Sequence, residues 1–374
     1  PSTLLWDVPT QFPTGAGPVY EPKNYDDQFH GPLRLRLALG NSYNIPAVKT
    51  IEYVGVCNFI SNMQKLGLTD LLDAGCNEMG QPRDHGLSLA LGGGEVSPLQ
   101  MAGSFTALAN QGRYMAPFAI SRIENSRGEI MYEHVGPDPA AAQVVRPEHA
   151  FLLSDILADD DARQPAFGRN SSLVIAGHDV AVKTGTSGSS ASDVRDAWTI
   201  GYTPEIVSAV WVGNTDNDPL AQGQSGTGVA APIWNSFMSQ YLANRQPLAF
   251  DRPSGVVDIE ICADSGTQPG PECFSRRQEI FAGDQPPLDS SQDFMQTEAI
   301  DLWTQLLANN SCPESVYDAK FFTVLVFGND NVLQRERNNA QLWLEQTPAG
   351  RSWAARREIS IPLRLPPNRA CDDT

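Results

Sequence analysis

At 374 residues and 41% hydrophobic content, the chain is long enough to bury one large core and a smaller second one. It sets 26 Lys and Arg against 44 Asp and Glu, a net charge of −18, and has no cationic cluster with interleaved aromatics, which excludes nucleic acid as a partner. No stretch approaches the ~18–20 apolar residues of a membrane span, no charged-then-apolar head reads as a signal peptide, and a start at Pro1 reads as a piece of a longer protein.

Residues 1–32 carry prolines at 1, 9, 13, 18, 22 and 32 and predict an irregular surface segment. Pro32–Ala38 predicts a helix headed by proline, although the alternation of Leu33, Leu35, Leu37 and Leu39 fits a strand too. The loop Gly40-Asn41-Ser42-Tyr43-Asn44-Ile45-Pro46 then precedes a helical run at Ala47–Val56. Ser42 and Asn44 both donate and accept hydrogen bonds, and alone they read as helix caps. Phe59–Leu66 predicts a helix stopped by Gly67. Pro98–Asn110 predicts another, with Leu99, Ala102, Phe105, Leu108 and Ala109 on its buried face. The glycine turn Leu91–Val96 lacks the following Gly-Lys-Ser/Thr of a phosphate loop. Ile120–Glu133 predicts a hairpin about Asn125–Gly128, and Pro147–Leu157 a helix that aligns Ala150, Leu153 and Leu157.

Three strands are expected next, at Asp179–Lys183, Ala197–Tyr202 and Ile206–Val212, antiparallel because short polar turns join them. The first runs into Lys183-Thr184-Gly185-Thr186, which places a positive charge and two hydroxyls at a strand end, with a glycine where another backbone must come close. By itself that motif also fits an ordinary strand entering a Gly-Ser loop. A helix at Ala230–Tyr241 follows, then a linker at Arg252-Pro253-Ser254-Gly255. Beyond it, Val256–Ile261, Phe321–Phe327, Ala340–Leu344 and Ile359–Leu365 predict strands of a small β-rich extension. Two domains are therefore expected, 1–250 and 251–374.

None of the six cysteines lies in a Cys-x-x-Cys pair and the five histidines (His30, His85, His134, His149, His178) are scattered, so neither a metal nor another cofactor is expected. Cys262 and Cys273 enclose ten Gly- and Pro-rich residues, the composition of a stapled loop, with two separate buried thiols as the alternative. Closing it would stabilise by roughly 3 kcal/mol on the chain-entropy model and implies an oxidising compartment.

Taken in order, the Ser42-x-Asn44 loop, further helices and Lys183-Thr184-Gly185-Thr186 on a strand resemble the penicillin-recognising serine acyltransferases, which use Ser-x-x-Lys, Ser-x-Asn and Lys-Thr/Ser-Gly. The match is closest to the transpeptidase domain of class A (bifunctional) penicillin-binding proteins. It covers about Ser2–Gln285 and includes Asn24-Tyr25-Asp26, Ala38–Val48, Leu91–Leu99, Val182–Thr186, Arg195–Pro204, Trp211–Asn214 and Ala231–Trp234. The resemblance implies an α+β fold, an antiparallel sheet flanked by helices. It implies a peptidoglycan D,D-transpeptidase whose partners are stem peptides ending in D-Ala-D-Ala, on the extracytoplasmic face of a bacterial membrane. Ser42, Asn44 and Lys183 would be its catalytic residues, and Thr184, Gly185 and Thr186 its substrate-binding residues. The backbone N–H of Thr186 would be half of an oxyanion hole.

One departure matters. None of Lys23, Lys49, Lys65, Lys183 and Lys320 has a serine three residues before it, so Ser-x-x-Lys is absent. Ser2–Pro9 resembles the segment that follows the nucleophile helix. The expectation is therefore that the nucleophile, a glycosyltransferase half and a membrane anchor lie upstream, and that β-lactams bind only where that nucleophile is present. Two other readings stay open: a D,D-carboxypeptidase or β-lactamase on the same fold, and a non-catalytic wall-binding protein.

Overall fold

The computed structural model describes residues 1–14, 19–72, 76, 86–136, 143–188, 193–312, 315–323 and 330–371. His85 and residues 324–327 of the expected strand 321–327 lie outside them. In chain order, β1 (Leu4–Asp7) pairs antiparallel with β2 (Gly31–Arg34). Helices α1 (Leu35–Gly40), α2 (Asn44–Val54), α3 (Val56–Lys65) and α4 (Pro98–Ala109) follow. Then come the hairpin β3 (Arg122–Glu124) and β4 (Ile130–Glu133), α5 (Pro147–Ala158) and α6 (Asp160–Phe167). Strands β5 (Ala181–Gly188), β6 (Val194–Thr203) and β7 (Ile206–Gly213) form one antiparallel sheet in that order, and α7 (Ala231–Leu242) comes next. The C-terminal part holds the strand pairs β8 (Val256–Cys262) with β9 (Arg276–Ala282) and β10 (Met295–Asp301) with β11 (Val316–Phe322), then α8 (Asp330–Gln346) and α9 (Pro348–Ala355). Among the described residues no helix is long and apolar enough to cross a membrane.

Contacts divide the chain into two compact units. One comprises residues 39–42 and 50–256, the other 1–38, 43–49 and 257–374. In the first unit, residues of β5, β6 and the helices meet in apolar clusters, and β6 is buried without a break from Thr199 to Thr203. Val180, Val182, Ala231, Trp234 and Met238 form one; Leu157, Ala181 and Tyr202 form another, against which Phe105, Leu108 and Ala109 of α4 pack. Leu99, expected on that face, is exposed, and Gly103, Ser104 and Ala107 are the buried α4 positions. Helix α4 starts where Ser97 accepts the Gln100 N–H and Pro98 fills the first turn. Cys57 and Cys76 form a disulfide in this unit.

The second unit has an aromatic core of Trp6, Phe294, Phe322, Trp343 and Trp353. Gly31 is left-handed (φ 76°), and a Cβ there would come within 2.4 Å of the Trp343 ring, so two independent constraints require glycine. Cys262–Cys273 closes the loop predicted to be stapled, and Cys312–Cys371 is a third disulfide. Ala340–Leu344, expected as a strand, is helical within α8. Glu336, Ala340, Trp343 and Leu344 are buried at helical spacing, and a five-residue window is too short to reveal that period. Ile359–Leu365 is irregular because Pro362 supplies no ladder N–H; a backbone bond from Phe322 N–H to the Arg364 carbonyl (2.9 Å) and the Arg364 side chain on Tyr317 Oη (3.2 Å) join it to β11 without making a strand. The segment expected to be irregular at 1–32 contributes β1, and the helix expected from Pro32 begins only after β2.

A buried ion cluster ties β2 and α1 to β9. Glu279 accepts from Arg34 at 3.2 Å and from Arg36 at 2.5–3.1 Å, all three residues being 3–5% exposed. Burial pushes the Glu279 carboxyl up, but hydrogen bonds and charge from Arg36, helped by Arg34, pull it below its ordinary value. Glu279→Gln leaves Arg34 and Arg36 buried without that carboxylate and should destabilise by about 3–5 kcal/mol in urea unfolding at pH 7. The wild-type advantage should shrink as pH falls below about 4.5 and through the folded pKa, because the depressed carboxyl stabilises only while ionised.

Candidate active site

Strand β5 lies at the edge of its sheet and delivers Lys183 through Thr186 in register with Ile200 through Ala197 of β6. Lys183 Nζ donates to Ser42 Oγ at 2.6 Å and to the Thr184 carbonyl at 2.6 Å. Ser42 follows α1 and has a left-handed backbone (φ 60°), uncommon for a residue with a Cβ. Its hydroxyl therefore meets the lysine rather than capping α2. Burial disfavours the ammonium, and the positive charge of Arg163 on α6 disfavours it further, lowering Lys183 to about 8.

Gly185 is opposite Trp198, where a Cβ would stand 3.3 Å from the Trp198 Cβ. A π-helical turn, Gly226–Ala230, crosses both strands here. The Gly226 N–H donates to Thr186 Oγ1 at 3.0 Å, and Thr199 Oγ1 donates to the Gly226 carbonyl at 3.1 Å. A Cβ on Gly226 would come within 2.5 Å of both the Gly185 and Trp198 carbonyl oxygens. The Thr186 hydroxyl thus has one acceptor position filled and keeps its own hydrogen to donate, while Thr184 is buried. Toward the end of β5, Ser187 bonds Asp196, whose other carboxylate oxygen accepts from Trp211 Nε1 at 2.8 Å.

The structure brings Ser42, Lys183, Thr184, Gly185 and Thr186 into one unit. Asn44 belongs to the other, where its side chain donates to the Lys23 carbonyl at 2.7 Å and its N–H to Asn24 Oδ1 at 2.8 Å. Sequence reasoning missed two contributors: Arg163 and Gly226. Arg163 and Gly226 carry no local signal, because only the tertiary fold brings them to β5.

Residues 8–239 match the family model described as penicillin binding protein transpeptidase domain. Penicillin-binding protein 1A of Aquifex aeolicus is 34% identical over 264 residues, covering 70% of this chain and 33% of that protein. Penicillin-binding protein 2D of Bacillus subtilis is 29% identical over 284 residues, covering 75% and 38%. The chain thus spans about a third of the length of the curated relatives it matches. Its fold is similar to the crystal structure of penicillin-binding protein 1A from Haemophilus influenzae, with a TM-score of 0.64 at 24% identity over 76% of this chain and 45% of that one. The penicillin-binding protein PonA1 from Mycobacterium tuberculosis gives 0.57 at 21% identity over 68% and 66%.

Two outcomes test this geometry. Gly226→Ala drives a methyl into two strand carbonyls and should destabilise by about 1–3 kcal/mol in urea unfolding. Folded Lys183 releases its proton near pH 8 and unfolded Lys183 near 10.5, so between those values the unfolded chain holds more protons and this group adds stability as pH rises. The unfolding free energy of wild type minus that of Lys183→Met should accordingly be flat below about pH 7 and rise from 8 to 10.5.

Proposed function

This chain belongs to the penicillin-binding protein transpeptidase family, and from that premise we propose that it supplies the substrate-holding half of a peptidoglycan D,D-transpeptidase site. The observation that carries this reading is the Lys183 Nζ–Ser42 Oγ hydrogen bond of 2.6 Å. In the reaction, an acyl-enzyme forms on a serine, the terminal D-Ala leaves as an amine, and the amine of a second stem peptide takes the acyl group. A lysine held to about 8 exchanges its proton readily near neutral pH, and Ser42 is within reach to pass that proton to the leaving amine. An arriving carboxylate offsets the desolvation of Lys183 and favours its charged form; at ~4 Å such a pair gains about 4 kcal/mol at an effective dielectric of 20. Thr184 and Thr186 hydroxyls complete the carboxylate cradle. The Thr186 N–H polarises the scissile carbonyl, a donor whose loss typically raises the barrier by ~2.7–4 kcal/mol. The edge of β5 takes the extended peptide by strand addition.

The acyl-accepting serine is not among these residues, because no lysine here follows a serine at the Ser-x-x-Lys spacing. Three disulfides support an extracytoplasmic, oxidising location. The missing motif equally favours a second reading, a non-catalytic wall-binding protein; a residue other than serine at the nucleophile position of the longer protein would select it. Isothermal titration with a D-Ala-D-Ala peptide should show binding that Lys183→Ala weakens roughly tenfold or more, the loss of one charge-assisted contact. A fluorescent β-lactam should leave the 374-residue chain unlabelled, and a covalently labelled band would sink the assignment of the nucleophile elsewhere.

A further inference from the structure

Helix α6 contains Pro165, which brings no N–H to the helix. One residue on, the Ala166 N–H donates to Asn41 Oδ1 at 2.9 Å, and Asn41 Nδ2 donates to the Ala162 carbonyl at 2.7 Å. Ala162 C=O and Ala166 N–H are the two partners of one helical turn, so a single carboxamide engages both ends of that turn. Asn41 is 4% exposed, and bonds made away from water are costly to lose. The same helix is fixed at its start by Asp159, which accepts the Ala162 N–H at 2.8 Å. Gly40, the last residue of α1, lies along it, a Cβ there standing 3.6 Å from the Ala162 and Arg163 backbone.

Ser42 is next in sequence. Its left-handed backbone is a conformation that persists only where the surroundings over-determine it. The Ser42 N–H donates to the Leu39 carbonyl at 3.1 Å, which supplies one restraint; Asn41, anchored one residue away, supplies a second. We propose that Asn41 is a positioning residue: its carboxamide, clasped into α6, holds Ser42 in the left-handed conformation that sets its hydroxyl on Lys183. The same clasp fixes the helix that carries Arg163, the cation acting on Lys183. Asp160 bonds Arg163 Nε at 3.2 Å, and Asp161 in the first turn and Asp159 at the cap are the other carboxylates of α6.

The clasp itself stands on geometry alone; its consequence for catalysis rests on the transpeptidase reading. The test is a 13Cε-lysine NMR titration of the 374-residue chain, whose five lysines can be assigned with Lys183→Met. In wild type the Lys183 midpoint should lie near 8. Asn41→Ala lets the Ser42 hydroxyl leave Lys183, which removes an acceptor from the charged ammonium and should lower that midpoint by about half a unit or more in a folded chain. Loosening α6 alone moves Arg163 away and raises the midpoint, so a folded variant whose midpoint stays or rises overturns the proposal. A second measurement needs no substitution. The Ser42 and Ala166 amides should exchange through one shared opening, with protection agreeing within about threefold; Ser42 exchanging about tenfold faster than Ala166 overturns the clasp. Neither readout uses a substrate, so failure of the D-Ala-D-Ala peptide to bind sinks the transpeptidase reading and leaves the clasp standing.

Discussion

The site is organised by one desolvated ammonium. Lys183 is carried on an edge strand into a position where burial and the charge of Arg163 both oppose its proton, and Ser42 Oγ and the Thr184 carbonyl are its hydrogen-bond acceptors. A buried lysine with too few acceptors would lose its charge altogether. Held at about 8, it is mostly charged at neutral pH yet close to neutrality. That intermediate state fits the proposed role of attracting an anion and passing a proton. It requires that Ser42 be exact in place, which accounts for the left-handed backbone at φ 60° and for the restraints gathered around it.

Much of this geometry serves strand β5. Sheet pairing fixes the register from Ala181 to Ser187, and the turn at Gly226 braces the strand from Thr186 Oγ1 to Thr199 Oγ1. Because the Gly226 peptide stands against the carbonyls of Gly185 and Trp198, no side chain can intervene. Gly185 faces the Trp198 Cβ on the neighbouring strand. The glycine of the Lys-Thr-Gly-Thr motif is thus explained by packing as well as by access for a ligand.

The sheet and its motif were legible because their signals are local. Val180 and Val182 alternate with Ala181 and Lys183, the β6 and β7 segments are rich in β-branched residues, and Pro98 and Pro147 mark helix starts that the structure keeps. Ser42 and Lys183 were legible together only through family resemblance, since 140 intervening residues separate the two halves of one hydrogen bond. What failed was long-range. β1 pairs with β2 across a proline-rich stretch, a match between distant residues that no local pattern reveals. The run Ala340–Leu344 reads as apolar in a short window, whereas the helix becomes visible only when Glu336 is included on the same face. Glu336 itself is a poor core signal until its buried ion pair with Lys49 is known.

Net charge and local charge point in opposite directions at Lys183. A chain of net charge −18 favours protonation of its lysines at long range, yet Lys183 is depressed. The conflict resolves by distance: exposed charges are screened beyond about 8 Å at physiological ionic strength, whereas desolvation and a nearby guanidinium act unscreened inside the fold. The local terms win. Under the proposed function the same reasoning bears on the ligand: a neutral group gives a desolvated cation little, a second cation adds to the repulsion from Arg163, and a carboxylate supplies the opposite charge.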